Sequence, residues 1–473
     1  MERLDMMVKK QEDKKNPYLY EKKMGWEQCE QEMAFAFSTG YIDFLSECKT
    51  ERESVQYFIR QAEAAGFASF QQEHYQKGYK FYINNKDKGL LLGIVGDSSW
   101  QEGFSLVGAH VDAPRLDLKA QPLFEEDGLA LLKTHYYGGI KKYQWLTIPL
   151  AIHGVVLLGS GERLELVLGE QEDEPVFTIT DLLPHLAKDQ MTKPMSKAIE
   201  GEGLNVLFGG IPVESKEEKN RVKSHLLHLL HERFHLVEED LISAELEVVP
   251  SGKAREVGLD RAFIGAYGQD DRVCAYTAFQ ALLHTDCPDF SALVLLTDKE
   301  EIGSSGNTGA QGRFLESSLL RLAQAEGLSG LDVLGRIVEH GVALSADVSA
   351  GIDPNYKNLF DPYNAPEIGK GIVLTKYTGS GGKYEANDAS AELMGLIRNL
   401  FNQNQVVWQA GELGKIDQGG GGTIAMYLSQ LGIDTVDSGP ALLSMHSPFE
   451  IADKSDVYHT YLAYQVFLGR PRI

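Results

Sequence analysis

The segment "LLTDKEEIGSSG" (Leu295–Gly306) sets two glutamates, Glu300 and Glu301, side by side where an apolar run ends in a Gly-Ser turn. Four more segments carry kindred groups: "VGAHVDAP" with His110 and Asp112, "GQDDR" with Asp270 and Asp271, "ALSADVSAG" with Asp347, and "ALLSMHSPFE" with His446. Singly, each has a structural reading: the Asp pair can cap a helix and complement its dipole, Asp347 can serve a turn, and either histidine can be a hydrogen-bonded core residue. Together they are a problem of charge. Two unit charges about 4 Å apart repel by about 4 kcal/mol at an effective dielectric near 20. Several such pairs rival a domain's whole stability of about 5–15 kcal/mol unless protons or cations neutralise them. Two histidines with three carboxylates form a ligand set for zinc, cobalt or manganese. Asp270, Glu301 and Asp347 bring three negative charges, a hydroxide brings a fourth, and two divalent ions balance them.

The spacing adds detail. Residues i and i+2 share a strand face, so Asp112 can stand beside His110 and accept its second N–H. One aspartate has two oxygens and can bridge two metals. Successive residues leaving a strand diverge, so one glutamate of the pair can bind metal while the other takes a proton from water whose pKa zinc lowers to about 7. A base so positioned is worth about 10²–10⁴ in rate.

These groups need elements to hold them. The 473-residue chain is long enough for two or three domains, and 43% hydrophobic residues make it globular. "MAFAFSTGYIDFLSECKTERESVQYFIRQAEAAGF" reads as helical, ending at a Gly stop. "YKFYINN", "GLLLGIVG" and "FSLVGAHVDA" read as strands. From about 120 to 250 the texture turns β-rich ("LALLKTHYYGG", "LTIPLAIHGVVLLG", "LELVLG", "PVFTIT", "AELEVVP"), with one polar helix, "SKEEKNRVKSHLLHLLHERFHLV". Beyond it "DDRVCAYTAFQALLH", "SALVLLTD", "LLRLAQAEG" and "VALSADVSAG" alternate helix, strand, helix, strand. The reading is an α/β fold: a mixed central sheet flanked by helices, built from residues 1–119 and 251–473, interrupted by a β-rich insert at 120–250. In such sheets ligands bind beyond the carboxyl ends of the strands, where four of the five segments fall.

Composition excludes some partners. With 45 basic against 68 acidic residues the net charge is −23, which argues against nucleic acid and anionic membranes alike. The first residues, "MERLDMMVKKQEDKKNPYLYEKK", lack the apolar core of a signal peptide, and no apolar run is long enough to span a bilayer. Cys29, Cys48, Cys274 and Cys287 are scattered without a CxxC pair and read as reduced thiols of a cytoplasmic protein.

"GAHVDAP", "GQDDR", "DKEEIGSSG", "SADVSAGIDPNY" and "SMHSPFEIAD", in this order across residues 100–460, resemble the motif set of the M18 family of metalloaminopeptidases, the aspartyl aminopeptidases within the co-catalytic zinc exopeptidases. The resemblance implies metal ligands at His110, Asp270, Glu301, Asp347 and His446, with Asp270 bridging. Asp271 is the alternative bridge, and the spacing to "FQAL" favours Asp270. It implies Glu300 as general base, Asp112 as the partner of His110, and His153 in "TIPLAIHG" as a histidine lent to a partner subunit's site. It further implies two zinc ions (or Mn²⁺ or Co²⁺), peptide substrates with a free N-terminus, and a β-rich dimerisation insert. Subunits would assemble as a tetrahedral dodecamer. The implied preference is for N-terminal Asp or Glu, with neutral residues as the alternative, and Lys376 or Lys383 as counter-charge for an acidic side chain.

Competing readings are weaker. "HERFH" (His231–His235) fits the H-E-x-x-H pattern of zincins, but Arg233 sets a cation between the supposed ligands, and the flanks read as a surface helix. "DQGGGGTIA" (Asp417–Ala425) resembles a phosphate loop without the Gly-Lys-Ser/Thr ending; beside the M18 likeness it becomes a loop near the substrate pocket. A binuclear amidohydrolase or carboxypeptidase would use the same ligands and differ in not needing a free amine. A non-enzymatic shell protein would have no reason to keep the set.

Overall fold

The computed structural model describes residues 18–215 and 219–472; the charged first residues and the start of the polar helix lie outside them. A nine-stranded mixed sheet forms the scaffold, in the order Ala68–Ser69, Lys80–Asn85, Gly89–Ile94, Ser291–Thr297, Phe104–His110, Val342–Ser345, Asp434–Gly439, Ile372–Thr375 and Trp408–Ala410. At its centre Phe104–His110 runs parallel to both Ser291–Thr297 and Val342–Ser345, and Asp434–Gly439 continues the parallel run. The central strands are buried throughout ("FSLVGAH", "SALVLLT"), as continuous apolar runs between two helical layers must be. Helices Gln269–Leu283 and Lys454–Leu468 cover one face, which Phe279, Tyr464 and Phe467 fill, and Phe314–Ala325 packs into a second core around Trp100 and Phe104.

All six strands of a separate antiparallel sheet lie between Arg115 and Pro250, and they enclose a core of their own around Trp145, Leu150 and Val248. Here "PVFTIT", expected as a strand, makes only isolated bridges through Phe177 and Thr178. The polar helix is present as Arg221–Phe234, with Val222 and Leu230 buried and His228 and His231 exposed, so "HERFH" lies on a solvated helix face.

Three further differences have local causes. The long N-terminal helical stretch is two helices, Gln31–Glu47 and Glu51–Ala64. Thr50 and Glu53 form a reciprocal capping box that starts the second one. "VALSADVSAG" is two strands, Val342–Ser345 and Ser349–Ala350, in different sheets. The second belongs to a five-stranded sheet with Arg255–Val257, Phe263–Ala266, Ala441–Leu443 and Glu450–Asp453, which the sequence reading lacked. All four cysteines are free, with Cys48 and Cys274 buried. No helix among the described residues is long and apolar enough to cross a membrane.

Candidate metal centre and active site

The parallel strands deliver their groups at one edge. His110 is the last residue of its strand. The neighbouring strand ends at Thr297, and Lys299, in the left-handed backbone region at φ +67°, turns the chain into a single 3₁₀ turn, Glu300–Ile302. Asp347 occupies the gap where the chain passes from one sheet to the other. Asp270 and Asp271 precede the regular part of helix Gln269–Leu283, both in non-helical backbone. His446 sits in the tight connection between Ala441–Leu443 and Glu450–Asp453, also left-handed at φ +64°. Left-handed backbone at side chains other than glycine costs free energy and concentrates at functional sites.

Asp270 is the hub. Its Oδ1 stands 3.3 Å from His110 Nε2, and its Oδ2 stands 3.1 Å from His446 Nε2. His446 Nε2 is also 3.5 Å from Glu301 Oε1, and His110 Nε2 is 3.9 Å from Glu300 Oε2. Two atoms each about 2.1 Å from a tetrahedral zinc stand about 3.4 Å apart, so these spacings suit shared ligation. His110, Asp270 and Glu301 offer one converging set, and Asp270, Asp271 and Asp347 a second; Asp270 belongs to both. Buried Glu301 Oε1 and Asp271 Oδ1 have no hydrogen-bond partner, which is what a cation-binding set looks like before its ion is counted.

The electrostatics agree. Burial, reinforced by Asp270, pushes the Glu301 carboxyl well above its ordinary range, and burial with Asp271 and Asp270 does the same to Asp347. Burial lifts Glu300 to about 7, with His110 opposing and Asp270 and Asp112 adding. Asp270 is held below the usual range: burial works against its charge, but bonds from His110 and His446 outweigh it, and Asp112 is lowered likewise by its bonds to His110 and Tyr137. Conversely, burial would lower His446, yet Asp270 carries it to about 10. A cluster that must retain protons to be stable by itself is one that cations can neutralise.

Asp112 is bonded on several sides. Its Oδ1 lies 3.3 Å from His110 Nδ1, and its backbone carbonyl lies 3.1 Å from the same nitrogen. Its carboxylate also accepts the backbone N–H of Glu300 and of Glu301 and the Tyr137 hydroxyl. Sequence reasoning missed three contributors. Glu450, 1% exposed, accepts the backbone N–H of Asp270 and of His446, and burial lifts its carboxyl to about 8. Tyr137 holds Asp112, and the Gly139 carbonyl lies 3.0 Å from His446 Nδ1. Only Glu450 left a local trace, four residues after His446.

Asp271 Oδ2 accepts the His110 backbone N–H, which leaves its Oδ1 to the set it shares with Asp270 and Asp347. His153 is not brought to the cluster by this chain. It lies in strand Leu150–Leu157, 2% exposed, with Nδ1 2.7 Å from Glu53 and Nε2 3.1 Å from Glu170. The metal-cluster residues open into a cavity of about 550 Å³ whose further wall includes Tyr377, Lys383, Glu412 and the glycine-rich run Gly419–Gly422. Lys376 is not among the wall residues but, like Lys383, is bonded to Asp388.

Acidic and imidazole groups gathered at the carboxyl edge of a mixed sheet, over an open cavity, define a metallohydrolase of the α/β class. Comparison with known proteins makes this specific. Residues 44–468 match the family model described as aminopeptidase I zinc metalloprotease, M18, and the chain belongs to the M18 family. Probable M18 family aminopeptidases 1 from Clostridium acetobutylicum and Thermotoga maritima are 45% and 46% identical, covering 96% and 95% of this chain and 99% of each relative. The crystal structure of the T. maritima M18 aminopeptidase superposes with a TM-score of 0.92 at 45% identity, over 96% of this chain and all of that one. The S. cerevisiae mApe1 dodecamer superposes at 0.74 with 25% identity, over 93% of this chain and 96% of that one. The protein is a zinc metallo-aminopeptidase.

Proposed function

We propose that this aminopeptidase works with two divalent cations, zinc foremost, which Asp270, shared between both sets, would hold together with His110, Glu301, Asp347 and His446. One observation carries the reading: the two oxygens of Asp270 face different histidines, each at ligand-to-ligand spacing. When bound, the cations polarise the scissile carbonyl and acidify water. Glu300, which makes no close contact with His446, is the base: its carboxylate takes the proton of the attacking water and returns it to the leaving amine. Asp112 orients His110 and fixes the turn that carries Glu300. His153, bonded to Glu53 and Glu170 in its own subunit, is the histidine that a paired copy would lend to its neighbour's site.

The described residues of 1–119 and 251–473 form the catalytic body, and 120–250, into which the strand Arg115–Glu126 runs, is the unit through which copies pair. The insert exposes Leu186, Met191, Met195 and Ile211, each at least 65% accessible, and apolar exposure of this kind suits an interface. A dimer-based dodecamer with free thiols in the cytoplasm fits both this surface and the S. cerevisiae assembly. The test combines elemental analysis, sedimentation and turnover of free against N-acetylated peptides. Two metals per chain, a large closed oligomer and cleavage of the free peptide alone are expected; one metal per chain or cleavage of the blocked peptide would overturn the reading.

A further inference from the structure

Arg115 follows Asp112 by three residues and opens the strand Arg115–Glu126, where the catalytic body passes into the six-stranded sheet. It is buried, and carboxylates take its guanidinium from three sides. Nε donates to Asp117 at 2.8 Å, Nη1 stands 3.4 Å from Glu51 Oε2, and Nη2 stands 3.3 Å from Glu247 Oε1. Glu51 begins the helix Glu51–Ala64 and Glu247 lies in the strand Glu245–Pro250, so two of the three anchors are buried groups on other elements. Lys88 brings a second cation to Glu51 at 3.1 Å. A charged side chain held this way has a fixed place.

The carboxylates account for the cation's edge and leave its face. Arg115 is paired directly across the antiparallel strands with Tyr137, and its guanidinium carbon lies 4.0 Å from the centroid of the Tyr137 ring. Tyr137 ends its own strand, and the chain leaves it through Gly138, left-handed at φ +73°, and Gly139. The next two residues thus have no side chains with which to brace the ring. That ring carries the hydroxyl that donates to Asp112 Oδ2 at 2.8 Å, and Asp112 in turn stands against His110 and holds the turn of Glu300 and Glu301. A planar guanidinium stacks on an aromatic face and fixes its plane, whereas an ammonium offers only a point charge.

We infer that Arg115 is a positioning residue of the metal centre: its stacked guanidinium sets the Tyr137 ring so that the hydroxyl holds Asp112 in place beside His110. This rests on the metal centre proposed above. The competing account makes Arg115 an ion-pair residue that joins two parts of the fold. Both accounts expect a loss when Arg115 is changed, and they differ in whether that loss needs the Tyr137 hydroxyl. Two substitutions made singly and together separate them.

Zinc affinity of the full chain is measured by competition with a fluorescent chelator for Arg115→Lys, Tyr137→Phe and the two combined. Arg115→Lys keeps a cation for the carboxylates and removes the flat face; Tyr137→Phe keeps the ring and removes the hydroxyl. Tyr137→Phe should weaken zinc binding about tenfold and Arg115→Lys about threefold or more. The combined variant should bind zinc as Tyr137→Phe does alone, because the group through which Arg115 acts has gone. Melting temperature establishes that each variant folds, and Arg115→Gln replaces Arg115→Lys if that one does not. An Arg115 loss of equal size with and without the hydroxyl overturns the inference and leaves the metal centre intact. Unchanged affinity in Tyr137→Phe alone does the same, whatever the Arg115 variants do. A wild type that binds no zinc overturns both.

Discussion

Asp112 accepts the Glu300 backbone N–H at 3.1 Å on one carboxylate oxygen and the Glu301 backbone N–H at 3.2 Å on the other. A residue from one strand end thus fixes the turn at the next while also orienting His110. Asp112→Ala should release both glutamates and the imidazole together. Metal affinity is expected to fall about 10–100-fold, as for other partners of metal-binding histidines, with a still larger loss of kcat. Asp112→Asn should retain more of the affinity, and competition with a fluorescent chelator measures both.

Glu300→Gln separates base from ligand. The variant should keep its zinc by elemental analysis and lose about 10²–10⁴ in kcat with little change in KM. Loss of metal along with activity would move Glu300 into the ligand set.

Glu450 touches no ligand side chain but accepts the backbone N–H groups of Asp270 and His446. Glu450→Ala leaves both donors buried without a partner, a cost of about 1–3 kcal/mol each. Lower melting temperature and weaker zinc retention are expected together. Glu450→Gln keeps one acceptor and should fall between the two.

The imidazole of His153 joins Glu53, from the helix Glu51–Ala64, to Glu170, which Lys49 also holds at 2.9 Å. Burial alone would lower its pKa; Glu170 and Glu53 outweigh burial and raise it above 6.5. The tie's contribution is therefore complete below about pH 6.5 and lost as pH rises through the raised folded value. His153→Gln should depress the melting temperature more at pH 6 than at pH 9. An equal effect at both would show that the ring is neutral in the fold.

Chelation should destabilise as well as inactivate. Zinc bound at 1,000 times its Kd adds about 4 kcal/mol to a folded state that alone binds it. Calorimetry of the dialysed chain, then with zinc restored, should show the melting temperature rise with zinc concentration and activity return with it.

The candidate ligands could be picked out because four of their five segments end an apolar run and each carries its own chemistry in its side chain. What holds them could not. Glu450 acts through backbone groups of residues far away in sequence, and its strand pairs with Phe263–Ala266, a partner that no local pattern names. The break at Thr50 was present in "TERE", a capping box inside an unbroken helical period, and the period won the reading. The step at Asp347 between two sheets has no turn signal, because its neighbours remain β-like on both sides. Lys376 and Lys383 looked available as long as Asp388, paired to them only by a hairpin, went unnoticed. His153 was placed by resemblance, which supplies a position and says nothing of the two glutamates that receive it.

Tyr137 and Gly139 belong to the stretch expected to serve assembly, yet one holds Asp112 and the other fixes the imidazole of His446. The insert is therefore not detachable cargo. Cutting it away to make a smaller enzyme would remove the carbonyl that sets the tautomer of one histidine and the phenol that steadies the brace of the other. Thermodynamic reciprocity then ties two properties that look separate: whatever tightens zinc binding would also seat the insert, and a neighbour that grips the insert would adjust how firmly zinc is kept.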